Sequence, residues 1–155
     1  MSKEYTKQEY IKIGAALVGT IFLFVADRFL KNLALTLDNK IILIKNWLEL
    51  ELFENKNIAF SIKIPEFIII PIIILIIILL IYYLVKFIKL NFGVKEASLL
   101  LIIAGAISNL YDRLQFSYVI DYINIPFWPV FNLADIMISV GVVGLIWTLL
   151  STKYE

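Results

Sequence analysis

The sequence predicts a membrane protein, mainly α, with four transmembrane helices and a small extracytoplasmic β layer between the first and second. Three observations predict it. Hydrophobic residues make up 61% of the 155 positions, and the mean hydropathy is +0.90, a composition typical of chains solvated by lipid. Four separate apolar stretches approach the ~20 residues that a helix needs to cross ~30 Å of hydrocarbon. The charged residues inside three of these stretches gather near one end, and the second stretch carries none. A single integral membrane domain over residues 1–155 is expected.

The first helix is expected over about 13–35. Lysines at 3, 7 and 12 precede an apolar run from Ile13 to Ala26, the outline of a secretory signal peptide. Phe24-Val25-Ala26 is a poor cleavage site, however, and Asp27-Arg28 follows at once, so the run reads as a retained span. The β layer is expected over about 37–64. Leu37-Asp38-Asn39-Lys40 reads as a turn. Leu48-Glu49-Leu50-Glu51-Leu52 alternates with period two, as does Ile58 to Ile64 less cleanly. Tyr118 to Ile125 is able to extend the layer. The second helix, about 67–90, contains the uncharged run Phe67–Val85, with Pro71 near its start, where proline does least harm. The third and fourth helices are expected over about 97–114 and 132–151. All four are read as helices because lipid leaves no backbone group a partner outside its own segment.

Lysine placement sets the orientation. Lys3, Lys7, Lys12, Lys86, Lys89, Lys95 and Lys153 fall in the tails and in the 86–96 connection. The opposite side carries only Lys40, Lys45, Lys56 and Lys63. Both termini are therefore expected in the cytoplasm. Trp47, Tyr122 and Trp128 then lie outside, as interfacial aromatics.

Composition also excludes. There is no cysteine and no histidine. Thiol chemistry, a Ser-His triad and an H-E-x-x-H zinc site are ruled out, and no metal or cofactor is invoked. A net charge of +1 gives no reason to expect nucleic acid.

The expected topology brings the intramembrane polar residues to one level. Asp27 and Lys31, spaced i,i+4, lie toward the outer end of the first helix. Asn109 and Arg113, with the same spacing, lie toward that of the third. Asn132 and Asp135 open the fourth helix, and Asp121 sits in the link before it. The second helix carries no such group and reads as a wall. Each pair also has an ordinary structural reading. Asp27–Lys31 is an ion pair, Asp112-Arg113 a helix end, Asn132 a cap and Asp135 a partner for the helix dipole. Ionisable groups at membrane depth are costly, though, and their shared level points to a function. Two neighbouring carboxylates that hold one proton between them are equipped for peptide hydrolysis. The alternative is a proton- or ion-coupled transporter. Transporters place their binding groups near the midplane of repeated halves, and no repeat is visible here. A Ser61–Lys63 dyad is a third chemistry, with both side chains on one face of an expected strand.

These residues fall in motifs that resemble the bacterial lipoprotein signal peptidases (signal peptidase II), which are intramembrane aspartic proteases. Asp27 and Lys31 match an Asp-x-x-x-Lys motif. The segment Asn55-Lys56-Asn57-Ile58-Ala59-Phe60-Ser61 resembles Asn-x-Gly-Ala-Ala-Phe-Ser. Gly105 to Arg113 resembles Gly-Ala-x-Gly-Asn-x-x-Asp-Arg. Val119-Ile120-Asp121-Tyr122 resembles Val-Val-Asp-Phe, and Phe131-Asn132-Leu133-Ala134-Asp135 matches Phe-Asn-x-Ala-Asp. The resemblance covers nearly the whole chain, in order. It implies that Asp121 and Asp135 are the catalytic pair and that Asn55, Asn109, Arg113 and Asn132 support the site. It implies that Asp27 and Lys31 hold the first helix near it. It further implies diacylglyceryl-modified prolipoproteins as substrates, cut just before the lipidated cysteine. Membrane lipids and the cyclic peptide inhibitor globomycin are the implied partners. The implied location is the bacterial cytoplasmic (inner) membrane, with the site near its outer face. Asn57, Ala104 and Ser108 stand where the family has glycine.

Overall fold

The computed structural model describes residues 6–56, 65–88 and 92–151. The elements run α1 (Lys7–Ala34), β1 (Ile41–Ile44), β2 (Leu48–Asn55), α2 (Glu66–Ile88), α3 (Val94–Phe116), β3 (Val119–Asn124) and α4 (Leu133–Ser151). The four helices are each long and apolar enough to cross a membrane. Their outward surfaces agree: Val18, Phe22, Val25 and Phe29 of α1 are all more than half exposed. In water such a surface would drive aggregation, whereas in lipid it is ordinary solvent contact.

α1 begins at Lys7, ahead of the expected position 13, because a capping box starts it. Thr6 Oγ1 accepts from the Glu9 N–H at 3.3 Å, and Glu9 Oε2 accepts from the Thr6 N–H at 2.7 Å. Together they satisfy donors that the first turn cannot pair internally. α3 also starts earlier than expected, at Val94. The Gly93 N–H donates to Glu96 Oε2 at 2.8 Å there. It ends at Ser117, whose left-handed backbone (φ 64°) lets its N–H close on Arg113 O at 3.0 Å.

α3 is the central helix and packs against α1, α2 and α4. Its contact with α4 depends on small residues. A Cβ on Gly105 would sit 2.5 Å from the backbone oxygen of Ala134, and one on Gly141 would sit 2.7 Å from that of Ser98. Backbones approach this closely only where there is no side chain between them.

The β layer is a three-stranded antiparallel sheet in the order β1-β2-β3. Asn46, at φ 62°, turns the chain between β1 and β2, a conformation asparagine tolerates well. All of β1 is exposed, while Val119 to Tyr122 of β3 are buried. The second alternating stretch, Ile58 to Ile64, and the Ser61–Lys63 pair lie outside the described residues. β3 is followed by a closed excursion: Ile123 and Phe131 exchange backbone hydrogen bonds at 2.8 and 3.1 Å. That exchange returns the chain to β3 and sets the first residues of α4 beside it.

Candidate active site

The site forms where the C-terminal part of α1, the last turns of α3, β3 and the start of α4 meet. Asn132 is its pivot. Placed just before α4, its Oδ1 accepts from the Asp135 N–H at 2.9 Å, while Asp135 Oδ2 accepts from the Asn132 N–H at 3.2 Å. This reciprocal cap fixes both residues. The Asn132 amide then donates to Asp121 Oδ1 at 2.6 Å and to Ile120 O at 3.3 Å. One residue thus hydrogen-bonds to both aspartates.

Each carboxylate has a second amide partner. Asn55 Nδ2 donates to Asp121 Oδ2 at 2.8 Å. The sheet register makes this possible. Phe53 pairs with Asp121 and Asn55 with Val119, so Asn55 is the diagonal neighbour of Asp121 on one face. Asn109 Nδ2 donates to Asp135 Oδ1 at 2.8 Å. The Asn109 oxygen accepts from Lys31 Nζ at 2.7 Å and from Asn132 Nδ2 at 3.2 Å. An ammonium has only donors, so Lys31 fixes which way the Asn109 amide points.

Behind this layer lies a fully buried ionic cluster. Lys31 Nζ is 3.3 Å from Asp27 Oδ2 and 2.7 Å from Asp112 Oδ2. With Asn109 it thereby places all three of its donors. Asp27 also accepts from Ser108 Oγ at 2.5 Å and from the Ala134 N–H at 3.0 Å, tying α1 to α3 and to α4. Asp112 accepts from the Ile120 N–H at 3.2 Å, which holds β3 one residue before Asp121.

Asp121 is 1% exposed. Its proton affinity is raised, to a pKa of about 7, first because burial disfavours the charge and next because Asp135 stands near. The amides of Asn55 and Asn132 and the charge of Lys31 pull the other way. A carboxyl in that position exchanges a proton at physiological pH.

All the expected site residues are among those described. The structure brings Asp27, Lys31, Asn55, Asn109, Asp121, Asn132 and Asp135 into one hydrogen-bonded network. Arg113 is buried at its edge, where Glu66, Asp121, Asp112 and Asp135 all act on it electrostatically. Three residues depart from the sequence reading. Tyr122, expected as an interfacial aromatic, is 4% exposed. Its hydroxyl accepts from the Leu133 N–H at 3.1 Å and lies 3.5 Å from Asp27 Oδ1. Asp112, read chiefly as a helix end, is wholly buried and carries two cations. Arg28 has no role in the sequence reading, yet it pairs with Asp112. The sequence offers one signal for that pairing: an arginine and an aspartate at matching depth on two helices. The second helix is not entirely a wall either, since its Glu66 acts electrostatically on Arg113.

Comparison with known proteins gives a consistent family. The family model described as signal peptidase (SPase) II matches residues 19–151. The lipoprotein signal peptidase of Clostridium tetani is 37% identical over 132 residues, covering 79% of this chain and 83% of that one. The lipoprotein signal peptidase of Moorella thermoacetica is 55% identical over 53 residues, a match to about a third of each chain (34% and 35%). Among solved structures, a bacterial membrane enzyme determined by the in meso method at 2.3 Å resolution superposes with a TM-score of 0.82. It is 25% identical, with 99% of this chain and 94% of that one covered.

Proposed function

We infer the reaction from descent, because the chain belongs to the signal peptidase II family. It is an aspartic peptidase that removes signal peptides from lipoproteins. Its substrates are diacylglyceryl-modified prolipoproteins, cut on the amino side of the lipidated cysteine. Asp121 and Asp135 are the catalytic pair. The observation that carries this assignment is the double attachment of Asn132, which hydrogen-bonds to both carboxylates at the start of a transmembrane helix.

The pair holds one proton between two acids, so its pKa values belong to the pair. The ionised member takes a proton from a water molecule, whose oxygen attacks the scissile carbonyl carbon. The protonated member gives its proton to the carbonyl oxygen as the tetrahedral intermediate forms. Collapse returns a proton to the departing amine nitrogen, the C–N bond breaks, and the signal peptide leaves as a carboxylic acid. The amides of Asn55, Asn109 and Asn132 hold the two acids in place, so little reorganisation remains during the reaction. The acyl chains of the substrate stay in the bilayer and set the cysteine at the depth of the acids, which spends remote binding energy on position.

The lysine bias supports cytoplasmic termini, and with them a site near the outer face of the cytoplasmic (inner) membrane. Globomycin, a cyclic peptide, competes for the same site in this reading.

Purified protein in lipid, given a lipidated prolipoprotein, is expected to release a fragment whose new N-terminus is the modified cysteine. Asp121→Asn and Asp135→Asn are each expected to reduce turnover to background while the protein still inserts and melts cooperatively. Wild-type turnover in either variant would refute the dyad.

A further inference from the structure

We propose that Arg28 is a positioning residue that keeps the buried cluster behind the catalytic pair electrically neutral, and so sets the pH range over which the pair works. The proposal rests on Asp121 and Asp135 being that pair.

The reasoning begins with a charge count. Asp27, Lys31 and Asp112 are each fully buried, and two acids against one lysine leave a net charge of −1. A net charge at zero exposure is strongly penalised and is relieved by a partner or by a proton. Arg28 is the partner. Its Nη1 lies 2.5 Å from Asp112 Oδ1, and the same nitrogen is 3.2 Å from Ser108 Oγ and 3.3 Å from Ser108 O. Its guanidinium sits 4.5 Å from the centre of the Tyr111 ring, a second contact that favours a cation there. The side chain is 17% exposed, so Arg28 closes the cluster at its rim while its charge points inward.

The cluster is linked to the reacting acids through specific bonds. Asp112 holds Lys31 and the Ile120 N–H, next to Asp121. Lys31 holds the Asn109 oxygen, and Asn109 donates to Asp135. With Arg28 absent, Asp112 keeps Lys31 from neutralising Asp27 fully. An uncompensated negative charge then sits behind the pair. The other charged and titratable groups beside the pair among the described residues are Arg113 from α3, on which Glu66 of α2 also acts, and Tyr122 from β3, and Arg28→Gln replaces none of them. A nearby negative charge makes a carboxyl pair hold its proton to higher pH.

The test is the pH profile of kcat/KM on a lipidated prolipoprotein, with kcat and KM measured separately. Arg28→Gln is expected to move the alkaline limb to higher pH and to lower kcat about tenfold with KM little changed. Arg28→Lys, which keeps the charge, is expected to leave the limb in place. Arg28→Gln/Asp112→Asn removes one charge of each sign and is expected to return the limb to its wild-type position. A purely structural role would not predict that return. If Arg28→Gln does not fold, the double variant carries the test: a wild-type limb supports the proposal and a displaced limb overturns it. A wild-type profile in folded Arg28→Gln, with only its melting temperature lowered, also overturns it. Failure of the catalytic assignment itself would look different, as retained turnover in Asp121→Asn or Asp135→Asn.

Discussion

Asn132 shows how much one side chain can do at this site. Its oxygen caps a helix and its nitrogen binds a carboxylate, so the geometry of the pair is tied to the geometry of a helix start. Asp121 shows the complementary cost. Burial drives its pKa from 3.8 to about 7, so in the folded protein it keeps a proton that an exposed aspartate would have released. Raising the pH through about 7 ionises Asp121 and, in the proposed mechanism, removes the proton that the pair shares. kcat/KM is accordingly expected to fall across that range in a pH profile. The Asn55 amide favours the ionised form of Asp121. Asn55→Ala is therefore expected to shift the falling limb to higher pH, and a shift to lower pH would contradict the assigned hydrogen bond. Ser108, expected from the family resemblance to stand where relatives have glycine, turns its hydroxyl onto Asp27.

Among the elements, the close approach of α3 and α4 decides whether the network can form. Gly105 faces Ala134, whose N–H binds Asp27 and whose neighbour is Asp135. A methyl there meets a backbone oxygen, which cannot rotate away as the end of a flexible side chain would. Gly105→Ala is expected to cost about 1–3 kcal/mol in stability and to lower kcat as well, because α4 must move with Asp135 on it. Gly14 lies in α1, and a methyl group added to it would have nothing within 4 Å. Gly14→Ala is expected to change stability by no more than about 1 kcal/mol and to leave kcat unaltered. Thermal melts and steady-state kinetics on the two variants separate these outcomes. β3 shows why the strand and its aspartate could be read from sequence but not its depth. Its alternation is modest, yet all of Val119 to Tyr122 is buried because α1 and the end of α3 pack against it, with Leu133 at the start of α4.

Across the molecule, the spans enclose little and expose much, as lipid permits. The chain has no cysteine, so single introduced thiols report sidedness without background. In intact cells, a membrane-impermeant maleimide is expected to label Phe127→Cys, in the exposed link before α4. It is expected to label Lys7→Cys only after the membrane is opened. The reverse pattern would invert the proposed orientation and put the site on the cytoplasmic face.

Residue order alone was enough to place the four spans, the small β layer between the first two and the level at which the polar residues gather. Hydropathy and helical or strand periodicity are local properties, and a bilayer turns them directly into depth. Order also marked most of the polar residues of the network, since an ionisable group is conspicuous in an apolar run. It left open which of them touch. Asn109 binding Asp135, Asp112 holding β3, Tyr122 turning inward and Arg28 completing the cluster are contacts between segments that chain order does not pair. Their partners are chosen by the rotation of each helix and the closing of the link between β3 and α4. Packing of the assembled helices settles those, because a buried charge goes to whichever opposite charge the neighbouring backbone brings within reach.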